Sequence, residues 1–196
     1  MFGFNTDLQS QIEQLTEILK RSETLYDVIK KANNIGLQNY YIGAGCITQT
    51  VWNYQVRNDL TSGISDIDFV YYDNSNLSFA AENVIIERVT SEIKPHKIKL
   101  DIKNQARVHL WYKERFGYDI NPYRSVEDAI NTWPTTATSV GVRLENDSLK
   151  VYAPFGLNDL FGMIVKANKA QITEEIYMQK VSKWSAKWPT LTIIPW

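Results

Sequence analysis

The sequence predicts an α+β fold: a small mixed sheet flanked by helices, with further helices and a hairpin added toward the C-terminus. Three observations carry this expectation. Apolar residues recur at helical spacing up to Ala32. Short β-branched and aromatic runs then alternate with longer helical patterns. No Gly/Ser-rich linker interrupts the 196 residues, a length that one well-filled domain accommodates. The chain therefore reads as one unit over 1–196, with N-terminal helices at 5–35, a core at 36–121 and a C-terminal extension at 122–196.

Each element follows from local pattern. Leu8, Ile12, Leu15, Ile18 and Leu19 line one side of an amphipathic first helix. Leu25, Val28 and Ile29 mark a second helix over 23–32, stopped by Asn33, Asn34 and Gly36. Residues 39–42 read as a strand that Gly43-Ala44-Gly45 breaks. Residues 46–54 read as a helix with Ile47, Val51 and Trp52 on one side. After a loop at 57–65, Asp66-Ile67-Asp68-Phe69-Val70-Tyr71-Tyr72 has the content of a strand. A long helix over 77–93 ends before Pro95. Residues 97–103 alternate with the period of a strand, and 104–116 read as helix. Pro122-Tyr123 forms a turn, and Ser125 caps a short helix that has Glu127 and Asp128 in its first turn. Residues 139–144 and 149–152 form a hairpin across 145–148. Helices are expected at 157–169 and 174–186.

Bulk composition narrows the function classes. Apolar residues make up 44% and charged residues 22% of the chain, as in an ordinary globular protein. The formal net charge is −1, so no extended basic groove for nucleic acid is expected. Cys46 is the one cysteine; it allows no intrachain disulfide and fits a reducing compartment. The start lacks the features of a signal peptide. No apolar run approaches the roughly 20 residues a membrane span needs. A cytoplasmic protein without membrane partners is the expectation.

The chemistry is concentrated in three aspartates. Asp66 and Asp68 lie two apart on one strand, so both side chains share a face. Carboxylates that close raise each other's pKa unless a cation compensates. Mg²⁺ is the natural compensation, because it takes oxygen ligands from one or two carboxylates plus substrate phosphates. Asp101 lies mid-strand, beyond the long helix. A strand-helix-strand unit of that length brings two strands side by side, so all three carboxylates converge. Two metal ions in such a site clamp the attacking and leaving oxygens of a phosphoryl displacement.

Upstream, Gly43-Ala44-Gly45-Cys46 joins a strand to a helix start. Glycine permits close backbone approach, and the free N–H groups of a helix N-terminus attract anions. The phosphates of a nucleotide are expected there, with Thr48 adding a hydroxyl. Arg107, after the Asp101 strand, offers a bidentate phosphate contact. Other residues read as structural. They are His109, His96 in a loop, Cys46 as a small buried side chain, and Trp133 and Trp188, each before a proline that ends a helix.

In this order Gly43-Ala44-Gly45, Ser65-Asp66-Ile67-Asp68-Phe69 and Leu100-Asp101-Ile102 resemble the DNA polymerase β nucleotidyltransferase superfamily. More narrowly, the chain resembles a family of small bacterial nucleotidyltransferase-like proteins of largely unassigned substrate. That likeness rests on stretches such as Thr50-Val51-Trp52-Asn53-Tyr54, Lys103-Asn104-Gln105-Ala106-Arg107 and Tyr152-Ala153-Pro154-Phe155-Gly156, and it runs from Tyr40 to Lys166. It implies a polymerase-β-like palm and supports the metal roles of Asp66, Asp68 and Asp101. The chain departs from the pattern at Thr48, where relatives often carry Arg, and in its longer stretch from Gly45 to Asp66. Phosphate is then met by Lys103 or Arg107.

The expected activity is transfer of a nucleoside monophosphate from an NTP to an acceptor, with release of pyrophosphate. Two Mg²⁺ ions, or Mn²⁺, would be held by Asp66, Asp68 and Asp101, with Asp101 helping to deprotonate the acceptor. The acceptor is a small molecule, a protein or an RNA end. The Thr48 departure motivates an alternative: a catalytically silent nucleotide-binding or toxin–antitoxin-type module on the same fold. A nuclease using the same metals is a third class, which the Gly turn before the acidic strand disfavours.

Overall fold

A computed structural model describes residues 2–94 and 98–196. Two helices come first, α1 (Leu8–Arg21) and α2 (Glu23–Asn34). The Asp7 carboxylate caps α1 by accepting from the Ser10 N–H, as a good N-cap does. Leu15, Ile18 and Leu19 of α1 pack with Leu25, Val28 and Ile29 of α2. Leu8, expected on the apolar face, is instead exposed, because it lies on the first turn beyond the reach of the core.

The sheet then forms in the expected rhythm. Strand β1 (Tyr40–Gly43) leads into α3 (Gly45–Gln55), β2 (Asp66–Tyr71) into α4 (Phe79–Glu92), and β3 (Lys99–Asn104) follows. The expected strand start at Lys97, the His96 loop and Pro95 lie outside the described residues. The expected helix over 104–116 is divided. Asn104 ends β3, its side chain accepts from the Ala106 N–H, and a single 3-10 turn (Gln105–Arg107) precedes α5 (Val108–Phe116). Ser125 caps α6 (Val126–Ile130) through the Asp128 N–H, as expected.

Strands β4 (Gly141–Glu145) and β5 (Ser148–Tyr152) form the expected hairpin. Its turn residues Asn146 and Asp147 have φ of 50° and 58°, the left-handed pair that a two-residue hairpin turn needs. The helix expected over 157–169 is only α7 (Asn158–Phe161). The next residues, Ile164 and Val165, form β6 and pair in parallel with β7 (Thr192–Ile193). That pairing joins segments almost thirty residues apart, so no local pattern announces it. Helix α8 (Glu174–Lys187) lies between them and is capped by Thr173.

The main sheet has the order β3-β2-β1-β4-β5. β2 and β3 run parallel, joined by the α4 crossover, and the other neighbours are antiparallel. One face carries Tyr40, Ile42, Ile67, Phe69, Tyr71 and Ile102, buried with the helices in the main core. The opposite face carries Tyr41 and Val70, which pack under Val126 and Ile130 of α6. No helix among the described residues is long and apolar enough to cross a membrane.

The loop before β2 is held from inside. Asn53 on α3 donates to the carbonyls of Leu60 (3.2 Å) and Ser62 (2.8 Å) and accepts from the indole N–H of Trp188 at 2.8 Å. Trp188 meets Trp52 edge to face, with ring centroids 5.4 Å apart. Asn53 therefore ties α3, the loop that delivers Asp66 and the end of α8 together. Asn53→Ala leaves the buried indole N–H and the two carbonyls short of a partner. We expect a loss of about 1–3 kcal/mol in stability, measured by urea unfolding. An unchanged midpoint would show that the clamp carries no weight.

Candidate active site

The β1–α3 junction is shaped by steric necessity. A Cβ on Gly43 would fall 2.6 Å from the Val140 carbonyl oxygen and 2.8 Å from the Trp133 ring. The glycine is required because the β4 approach and the indole leave no room, rather than for backbone freedom. Ala44 follows with φ 58° and ψ −133°, a region that strongly favours glycine. Its N–H donates to Val140 O at 2.9 Å, and that bond helps hold the strained turn. No side chain caps the start of α3.

The side chains expected to help at this turn are engaged elsewhere. The Thr48 hydroxyl is buried and donates to Ala137 O at 2.8 Å. The Cys46 thiol is buried and donates to Gly43 O at 3.0 Å. Burial, and secondarily the charge of Asp68, push its pKa up. Of the expected cradle, the Ala44 N–H and the Thr48 hydroxyl are thus both engaged within the protein.

The aspartates come together as the strand pattern requires. In the parallel β2–β3 pair Asp68 lies directly beside Asp101, and on the antiparallel side Gly43 lies beside Asp68. Asp66, two residues before Asp68, shares their face. Asp66 is exposed and Asp68 is half-buried. Burial, then the charges of Asp66 and Asp101, raise the pKa of Asp68 from 3.8 to about 7, while Lys103 and Lys180 oppose the rise. Among the described residues no three acidic, histidine or cysteine side chains are drawn into a closed metal cage. Asp101 leans instead on the Lys103 ammonium, with which it forms an ion pair.

Arg107, expected at the phosphates, is turned away. Its guanidinium pairs with the buried Glu82 of α4, its Nε donates to Leu77 O at 2.9 Å, and it stands over the Phe79 ring. The physical reason is the 3-10 turn, which rotates the chain after β3 and points Arg107 at α4. Glu82 also accepts from the Asn104 N–H at 2.8 Å. The pair thus fastens α4 to the end of the Asp101 strand.

Beside Asp68 opens a cavity of about 240 Å³. Trp111, Tyr112 and Phe116 of α5 line it, together with Tyr123 and Trp133. Asp68, Val70, Lys103 and Ala44 lie along its sheet side, and α8 contributes Ile176 and Lys180. Gln105 and Gln171 add side-chain amides. Trp133, read from sequence as a packed residue, does pack on Gly43 but is also a wall of this cavity.

Sequence reasoning missed Lys180. The signal was present: Tyr177, Lys180, Val181 and Trp184 occupy the i, i+3, i+4 and i+7 positions of one helical stripe, and a lysine there breaks an otherwise apolar face. Burial lowers the pKa of Lys180, while Asp68 and Asp66 act to raise it.

The sheet order thus places a carboxylate pair on adjacent parallel strands with a tight Gly turn beside it. The chain belongs to the nucleotidyltransferase family, whose model matches residues 30–193. A protein whose NMR structure reveals a CCA-adding enzyme head domain superposes with a TM-score of 0.77 at 22% identity, covering 94% of this chain and 96% of that one. A tRNA-processing enzyme in an apo form gives a TM-score of 0.45 at 16% identity, over 85% of this chain and 44% of that one. A comparison with curated proteins finds no match.

Two predictions follow from the charges. Asp68 keeps its proton in the folded protein at pH values where the unfolded chain has released it. The metal-free protein is therefore expected to lose stability as pH rises from about 4 to about 7, since the unfolded state binds fewer protons across that window. Asp68→Asn should flatten this slope in thermal melts, and an equal slope in the variant would exclude Asp68 as its source. Arg107→Ala should cost about 3–5 kcal/mol by stranding the buried Glu82 charge. A variant of native stability would show that the pair is not needed for folding.

Proposed function

We propose that this nucleotidyltransferase moves a nucleoside monophosphate from an NTP to an acceptor and releases pyrophosphate, with Asp66, Asp68 and Asp101 binding divalent metal. The observation that carries this reading is the side-by-side placement of Asp68 and Asp101 next to the Gly43 turn. An all-oxygen donor set of this kind suits Mg²⁺ or Mn²⁺. Burial and the charges of Asp66 and Asp101 raise the pKa of Asp68, and a divalent cation bound there would favour its charged form. Bound metal would supply charge neutralisation at the phosphoryl group undergoing transfer.

The chain's own residues then do four things. Asp66 and Asp68 would hold metal at the start of β2. Asp101, once released from Lys103, completes the ligand set and takes the proton of the acceptor hydroxyl. The backbone N–H groups of Gly45 and Cys46, in the uncapped first turn of α3, would meet the phosphates. The aromatic cavity beside Asp68 receives the base, since aromatic rings stack on any nucleobase. Most of the rate enhancement in such a site comes from positioning and charge compensation.

The Asp101–Lys103 ion pair favours a second reading, in which the site binds a nucleotide without turnover because the third ligand stays engaged. Pyrophosphate release separates the two. Each of the four common NTPs would be offered with Mg²⁺ or Mn²⁺ and a set of small-molecule, protein and RNA-end acceptors. We expect release from wild type and a fall on the order of a hundredfold or more in Asp66→Ala, Asp68→Ala and Asp101→Ala, all folded by circular dichroism. Unchanged turnover in these variants would remove the aspartates from the chemistry, and tight nucleotide binding with no release would favour the silent module.

A further inference from the structure

We propose that Lys180 of α8, backed by Lys183 on the same helix and Arg115 of α5, is a cationic contact for the phosphate tail of the nucleotide where the cavity adjoins Asp68. This rests on the nucleotide-binding reading above and names the group that the site grips. Lys180 lines the cavity together with Asp68 and Lys103. Its place on the apolar stripe of α8 brings the ammonium inward, and the Trp184 ring centroid lies 5.8 Å away. Among the described residues it forms no ion pair, whereas Lys20, Lys31, Lys103, Lys113 and Lys150 all do.

Two more cations, Lys183 and Arg115, both exposed, act on Lys180 from outside the cavity lining. Arg115 stands over the rings of Phe116 (5.3 Å) and Trp111 (6.0 Å), both of which line the cavity. Neither Lys183 nor Arg115 is ion-paired among the described residues. Like charges that approach one another disfavour their charged forms. Such a grouping is relieved by a multiply charged anion, as phosphate oxygens relieve lysine and arginine clusters.

The other expected phosphate contacts are engaged. Arg107 is held by Glu82, Lys103 by Asp101 and the Thr48 hydroxyl by Ala137 O. Of the two lysines on the cavity wall, Lys180 is the one outside any ion pair in this structure. The cavity thus brings a carboxylate that can hold metal and a lysine outside any ion pair to one place. A metal-bound polyphosphate satisfies both at once, which a nucleoside or a monophosphate does not. Affinity should therefore climb with phosphate number, from NMP through NDP to NTP.

The test is calorimetric binding of inorganic tripolyphosphate to the full chain, so that no base and no turnover enter the measurement. Lys180→Gln should weaken binding on the order of tenfold or more, and Lys180→Arg should retain most of it. Lys20→Gln, on α1, serves as a control of equal charge change and should bind as wild type does. Lys183→Gln, at an exposed position, should show a smaller loss and serves if Lys180→Gln fails to fold. Wild type that binds no tripolyphosphate would overturn the proposal, as would equal losses in Lys20→Gln and Lys180→Gln, or full binding by a folded Lys180→Gln. If Lys180→Gln does not fold, full binding by Lys183→Gln would overturn it too. Lys180-dependent binding without pyrophosphate release from any NTP would keep the contact and remove the transfer activity. Release with an unaltered KM for NTP in Lys180→Gln would keep the activity and remove the contact.

Discussion

The parallel pairing of β2 with β3 is the constraint on which the site depends. It brings Asp68 and Asp101 abreast, although a long helix separates them in the chain. A parallel pair cannot be closed by a tight turn, so α4 serves as the crossover, and its packing fixes how the strands meet. The Glu82–Arg107 pair and the Glu82 contact to the Asn104 N–H fasten that helix to the far end of β3. A residue that looked like a phosphate ligand thus belongs to the scaffold that aligns the acids.

The two faces of the sheet divide the labour. Alternation along β2 sends Ile67, Phe69 and Tyr71 into the main core and leaves Asp66, Asp68 and Val70 on the other side. The core face supplies burial. The site face carries groups whose charges oppose one another's ionised forms. Holding Asp68 beside two further carboxylates costs free energy, and the buried side of the same strand offsets it. Strain at Ala44 and the close fit of Gly43 under Trp133 are further local costs. Such costs cluster where a ligand is to be met.

The C-terminal elements close the site rather than extend it. Helix α8 is anchored through Trp188 to Asn53, and Tyr177 donates to the carbonyls of Val165 and Ile194. Those bonds orient the stripe that carries Lys180 toward the cavity. The β6–β7 pair holds the segments on either side of α8. The same architecture that ties the loop before Asp66 therefore also sets the position of Lys180.

Much of this was readable in the chain alone. Hydrophobic period and capping residues determined α1, α2, α4 and α6 and the β4–β5 hairpin, because each depends on neighbours within a few positions. The period-two strands placed Asp66 and Asp68 on one face, and the strand-helix-strand spacing brought Asp101 to them. Tertiary structure decided what depends on distant partners. It turned Arg107 into a helix clamp, committed Thr48 to Ala137 O, shortened the helix expected over 157–169 so that Ile164 could pair with Thr192, and brought Lys180 to the cavity. Direction along a strand is a local property, fixed by backbone alternation. Which charge a side chain meets is settled only when separate elements pack, and no local pattern encodes that meeting.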